Sequence, residues 1–254
     1  ALRLDRLTRA PAGAVPPPPA PLPHAAAAMR ELVPAAARAR IDAESADWLG
    51  ELRRVAVVFA MLPDFAAETP LPAAHDAMRA AQKAVYRFEG AINKISVDDK
   101  GASLVAVFGL PPLAHGDDPE RAARGAVALR EALGALGLRA FVGVATGVVF
   151  CGVVGDDRRR EYTIMGKTVN LAARLMQAAA GGKSGDPVAG GVLCCPATRD
   201  AAVETLAFDD HAPLALKGFA DPVPVFRPTP SAPPRPARRR VRIVGRAAER
   251  ARLA

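Results

Sequence analysis

The sequence predicts an α+β fold, a ferredoxin-like split βαβ sheet with helices on one face. Three observations carry that prediction. A β-rich apolar run, "RVAVVFAML" from Arg54, reads as a buried central strand. The segment "AINKISVDDKGASLVAVFG" reads as two strands around a DDKG turn. Helical patterns follow the first strand and the hairpin, so the order is strand, helix, two strands, helix, strand.

The elements follow in order. Residues 1–25 contain a Pro run and are expected to form a semi-rigid linker. Residues 26–52 read as a helical Ala/Arg lead-in broken at Pro34, with Trp48 and Leu52 packing it onto the domain. The folded domain is expected over 53–228. Its first helix runs from about Ala73 to Glu89. The second opens in "DDPERAARGAVALREALGAL", with Asp118 as cap and Pro119 at the first position. "LRAFVGVATGVVFCGVVG" reads as two strands meeting near Thr146 and Gly147, "GGVLCCP" as a short strand, and "FDDHAPLALKGFADPVPVFRP" as a closing hairpin. Residues 229–254 return to an Arg/Pro-rich linker.

Composition sets outer limits. Hydrophobic residues make up 50% of 254 and charged residues 24%, as in a soluble globular protein. Much of the apolar share is Ala, so the core is smaller than the percentage suggests. No apolar run is long enough to span a bilayer. The chain opens on Ala rather than Met, as a fragment or processed chain would. The formal charge of +8 raises nucleic acid as a partner, but the Arg residues gather at the end without interleaved aromatics and read as a solvated linker. Of Cys151, Cys194 and Cys195, the last two are adjacent, which suits neither a zinc site nor a strain-free bridge; reduced buried thiols and a cytoplasmic location are expected.

The stretch "REYTIMGKTVNLAARLM", Arg160 to Met176, carries the chemistry. Gly166 allows a sharp helix entry and Thr168 is the expected N-cap. Leu171, Ala172, Leu175 and Met176 recur at helical spacing. Asn170 and Arg174 then share one face near the positive helix end, where an anion is favoured. "GGKSG" at Gly181–Gly185 resembles a phosphate-binding loop, but Gln177 stands where that spacing requires Gly. His24, His75, His115 and His211 lack ligand spacing. Arg158–Arg160 read as a solvated turn.

These segments resemble the class III nucleotidyl cyclases. The resemblance is carried by "VAVVFAML", "INKISVDDKGASLVAVFG", "VGVATGVVFCGVVG", "RREYTIMGKTVNLAARLM" and "LALKGFADPVPVF". It points most closely to the second catalytic half of soluble, bicarbonate-responsive adenylyl cyclases and of bacterial multidomain cyclase–ATPase proteins. It implies two halves paired head-to-tail with ATP between them. By resemblance, Asn170 orients the ribose and Arg174 stabilises charge on the α-phosphate. Thr163 and Lys94 read adenine, and Lys217 reaches the triphosphate. The closing "IVGRAAERARL" resembles the start of a signalling ATPase domain.

The family's metal-binding Asp positions are here Met61 and Ala102, which offer Mg²⁺ or Mn²⁺ no oxygen. The resemblance therefore implies a metal held by a partner cyclase half, with none on this chain. Asp64, Asp98 and Asp99 are near in sequence, but a one-residue step in a strand reverses the face. Two functions follow as expectations. One is a half-site of an adenylyl cyclase forming 3′,5′-cyclic AMP and pyrophosphate only when paired. The other is a silent pseudo-cyclase that docks and senses a nucleotide or bicarbonate. No membrane partner is expected.

Overall fold

The computed structural model describes residues 50–156, 159–181, 188 and 191–229, with residues 27, 30, 33 and 38. The chain divides into two compact units, 1–33 and 34–254. In the first, Val33 N–H donates to Arg30 O. The Pro-rich segment 1–25, Trp48, the "GGKSG" loop beyond Gly181 and residues 230–254 lie outside the described residues.

The second unit runs β1 (Glu51–Leu62), α1 (Leu71–Tyr86), β2 (Ala91–Asp98), β3 (Gly101–Phe108), α2 (Asp118–Gly134) and β4 (Phe141–Asp156). It continues with β5 (Arg159–Met165), α3 (Lys167–Ala179), β6 (Val192–Cys194), α4 (Pro196–Ala202), β7 (Phe208–Leu214) and β8 (Val223–Pro228). The sheet order is β2-β3-β1-β4-β6-β8-β7, and β5 pairs with β4 alone. Its first four strands form the expected split βαβ unit, antiparallel throughout. β6 joins β4 in parallel.

β1 is apolar without alternation because both of its faces are covered. Ala56, Val58 and Ala60 enter one core with α1 and α2, while Val55 and Val57 enter a second with α3. The first core is rich in alanine: Ala77, Ala81 and Ala84 of α1 lie with Ala122, Ala123 and Ala126 of α2. Small side chains let these helices sit close to the sheet, with Phe108, Leu129 and Leu133 filling the remaining volume.

The crossover helices α1 and α2 lie on one face, as the split unit requires. The later helix α3 occupies the opposite face, which the expectation of one helical face did not include. Four local readings are also corrected. Residues 141–156 form one long strand, since β1 pairs with it unbroken from Met61 to Glu51. α2 starts one residue earlier, with Asp117 at its N-cap. Asp118 is buried in the first turn and accepts the His115 backbone N–H at 2.9 Å. Arg159 and Arg160 open β5. Glu51 and Leu52 belong to β1, with Leu52 exposed. The short helix α4 was not anticipated; seven residues carry too little periodicity.

Candidate active site

The β4–β5 hairpin delivers the chain to α3 through Gly166, at φ 148° and ψ 177°. A Cβ there would meet nothing nearer than 3.5 Å, so the backbone angle is what favours glycine. α3 then lies directly on β4. A Cβ on Gly143 would stand 2.0 Å from Ala172 O and 2.4 Å from Met176 N. Ala172, Leu175, Met176 and Ala179 form the buried stripe that holds this contact.

Thr168 is not the N-cap, which is Gly166. It is the second helical residue, and its buried hydroxyl donates to Val148 O at 3.2 Å. The hydroxyl thus fixes the first turn of α3 to β4. On the other side of that turn Asn170 is exposed. One turn on, Arg174 is half-buried, and its Nη1 donates to Gln177 Oε1 at 2.7 Å. The tether restricts a long side chain that would otherwise sample many rotamers.

A cleft of about 740 Å³ opens between the C-terminal half of α3, the end of β1 and the β7 arm. It brings together Arg174, Gln177, Lys217, Lys100 and Met61. Two of the five expected site residues, Arg174 and Lys217, therefore line one cleft. Asn170, Thr163 and Lys94 lie outside that lining. Thr163 is half-buried on β5 opposite Gly152, and Lys94 is exposed on β2. A register shift between Ile92 and Lys94 releases Asn93 from the ladder. Asn93 Nδ2 donates to Tyr162 O at 3.2 Å. That bond draws β2 to β5, so Lys94 and Thr163 each adjoin a residue of the contact. Asn93, Gln177 and Lys100 were not singled out from sequence. Gln177 was legible in principle, three residues after Arg174 on a helix.

Met61 is the next-to-last residue of β1, paired with Ser103 and Phe141. Ala102 is buried and pairs with Leu62 and Val97. Two of the nearby carboxylates are engaged elsewhere. Asp64 accepts the Arg139 backbone N–H at 3.0 Å and the guanidinium at 2.5–3.1 Å. Asp98 accepts Lys100 N–H at 2.9 Å. Among the described residues, no three His, Cys, Asp or Glu converge. Met61 and Ala102 themselves offer a divalent cation no oxygen. The three thiols are buried and none forms a disulfide, and burial pushes the Cys194 thiol well up.

The model of the adenylate and guanylate cyclase catalytic domain matches residues 50–184, from β1 through α3. The chain belongs to this family. The cyclase domain is 34% identical over 193 residues to adenylate cyclase type 10 of Mus musculus, covering 73% of this chain and 11% of that protein. The human protein of the same name is 33% identical over 186 residues. The chain thus spans about a tenth of these relatives. Among solved structures, the adenylyl cyclase CyaB from P. aeruginosa superposes with a TM-score of 0.62 at 24% identity, over 72% of this chain and 97% of that one. The guanylyl cyclase Cya2 gives 0.57 at 21%, over 70% and 93%. Both share the cyclase fold. No helix among the described residues is long and apolar enough to cross a membrane.

Proposed function

We propose that this cyclase domain is one half of an adenylyl cyclase, supplying transition-state and base-reading groups to a site completed by a second cyclase domain. The observation that carries the reading is the placement of tethered Arg174 with Lys217 in one cleft. Supporting it, the two positions where family members hold metal are Met61 and Ala102.

In this reading the ribose 3′-oxygen attacks the α-phosphorus of ATP, and pyrophosphate leaves as the 3′,5′ ring closes. Charge gathers on the equatorial oxygens, so catalysis is placement plus electrostatic stabilisation. The planar guanidinium of Arg174 meets two such oxygens at once. Asn170 orients the ribose without adding charge. Lys217 neutralises the leaving phosphates. Lys94 and Thr163 read the edge of adenine, where an unpaired polar group penalises the wrong base. A Mg²⁺ or Mn²⁺ held by the partner half would supply the remaining phosphate neutralisation. A cytoplasmic setting and a bicarbonate response belong to the same reading, on the sequence resemblance to soluble, bicarbonate-responsive adenylyl cyclases.

A regulatory pseudo-cyclase is the second reading, favoured by the absence of oxygen ligands at Met61 and Ala102. Cyclic-AMP formation by the chain paired with a metal-binding cyclase half separates the two. The half-site reading expects activity only in the pair, abolished by Arg174→Ala. Full activity of that variant in the pair leaves the regulatory reading.

A further inference from the structure

The cleft contains more positive charge than the proposed roles use. Lys100, Arg174 and Lys217 line it, and no Asp or Glu is among its described lining residues. Lys100 sits in the β2–β3 turn, two residues before Ala102. It reaches a wall that also holds Met61. Its backbone N–H is secured by Asp98 Oδ1 at 2.9 Å, which fixes the turn that presents it. A cation therefore lies beside positions that carry carboxylates when a half binds metal. A carboxylate cluster repels phosphate until a dication arrives. A cluster of ammonium and guanidinium groups attracts it directly.

We infer that Lys100 is a further anion-binding residue, and that with Arg174 and Lys217 it lets this cleft bind an inorganic polyphosphate without a divalent cation. The inference deepens the proposed function and rests on it for the phosphate-facing roles of Arg174 and Lys217. Arg174 offers a planar fork and the two lysines offer point charges around it, a set suited to a chain of tetrahedral oxyanions. The apolar remainder, including Met61, Leu214 and Leu216, lowers the local dielectric and strengthens each contact.

The experiment is calorimetric titration of the full chain with inorganic tripolyphosphate in excess EDTA at fixed ionic strength. The expected result is saturable binding near one equivalent, weakened about tenfold by Lys100→Gln, as for one lost charge-assisted contact. Lys83→Gln, on the exposed side of α1, removes the same charge away from the cleft and is expected to leave binding unchanged. Binding that requires Mg²⁺ would overturn the inference. So would equal weakening by Lys83→Gln and Lys100→Gln, which marks diffuse attraction to a basic chain. Cyclic-AMP formation by the pair, measured in parallel, keeps the two ideas apart. Arg174-dependent synthesis without metal-free binding sinks only this inference. Metal-free binding with a silent Arg174→Ala sinks only the half-site reading.

Discussion

Gly143 of β4 lies so close beneath Ala172 of α3 that a Cβ at Gly143 would stand 2.0 Å from the Ala172 carbonyl oxygen. The obstructing atoms are backbone, so no side-chain rotation relieves the clash. Gly143→Ala is expected to displace α3, destabilising the domain by about 1–3 kcal/mol, the usual cost of overpacking. That corresponds to a fall in Tm of several degrees in thermal unfolding. The helix also carries Arg174, so cyclic-AMP formation by the pair is expected to fall further than the stability loss alone explains. An unchanged Tm would refute the contact.

Arg174 and Gln177 separate chemistry from positioning. Arg174→Ala is expected to lower kcat of the pair by about 10²–10³-fold, as when a preorganised donor to developing charge is removed. The side chain is half-exposed and tied only locally, so Tm stays within a degree or two. Gln177→Ala leaves the guanidinium in place but releases it. A loss below tenfold in kcat, with KM for ATP little changed, is the expected outcome. Steady-state kinetics of both variants decide between positioning and direct contact.

Base choice is expected to depend on the β2–β5 contact. Lys94→Ala and Thr163→Ala in the pair should each lower kcat/KM for ATP by about tenfold or more, with smaller change for GTP. Asn93→Ala breaks the bond to Tyr162 O without touching either side chain. It is expected to reduce discrimination between ATP and GTP in the same direction, and parallel rate measurements with both nucleotides test this.

Two aspartates give opposite pH signatures. The side-chain bonds from Arg139, aided by its backbone N–H, hold the Asp64 carboxyl below its usual range. Its contribution to stability is complete above the unfolded value of about 3.9 and is lost as pH falls through the lowered folded value. Asp64→Asn is therefore expected to flatten the acid limb of Tm against pH.

Burial pushes the Asp118 carboxyl up, against the His115 N–H bond that lowers it. Its protonated form favours folding below about pH 3.9, and that advantage is lost as pH rises through the raised folded value. One of its oxygens, Oδ1, is buried without a hydrogen bond. Asp118→Asn keeps an acceptor for His115 N–H and removes the buried charge. A higher Tm than the parent at pH 7, vanishing near pH 3, is expected in thermal scans.

Much of the architecture was legible from residues alone. The unalternating run at Val55–Ala60 marks a strand covered on both faces, and the DDKG turn marks β2 and β3, because both signals are local. The spacing of Asn170 and Arg174 likewise places them on one helix face, since helical period is a property of the chain itself. Local pattern could not say which face of the sheet α3 would cover. That follows from Gly143 letting its backbone approach β4. Nor could sequence show that Thr168 would bond to Val148, a partner twenty residues back, rather than cap its own helix. The cleft is tertiary in the same sense. Lys100, Arg174 and Lys217 come from three distant segments, and only sheet order and the seating of α3 bring their charges to one cleft. Sequence determined which side chains can carry phosphate chemistry; long-range packing decided which of them meet, because charge acts through distance in space.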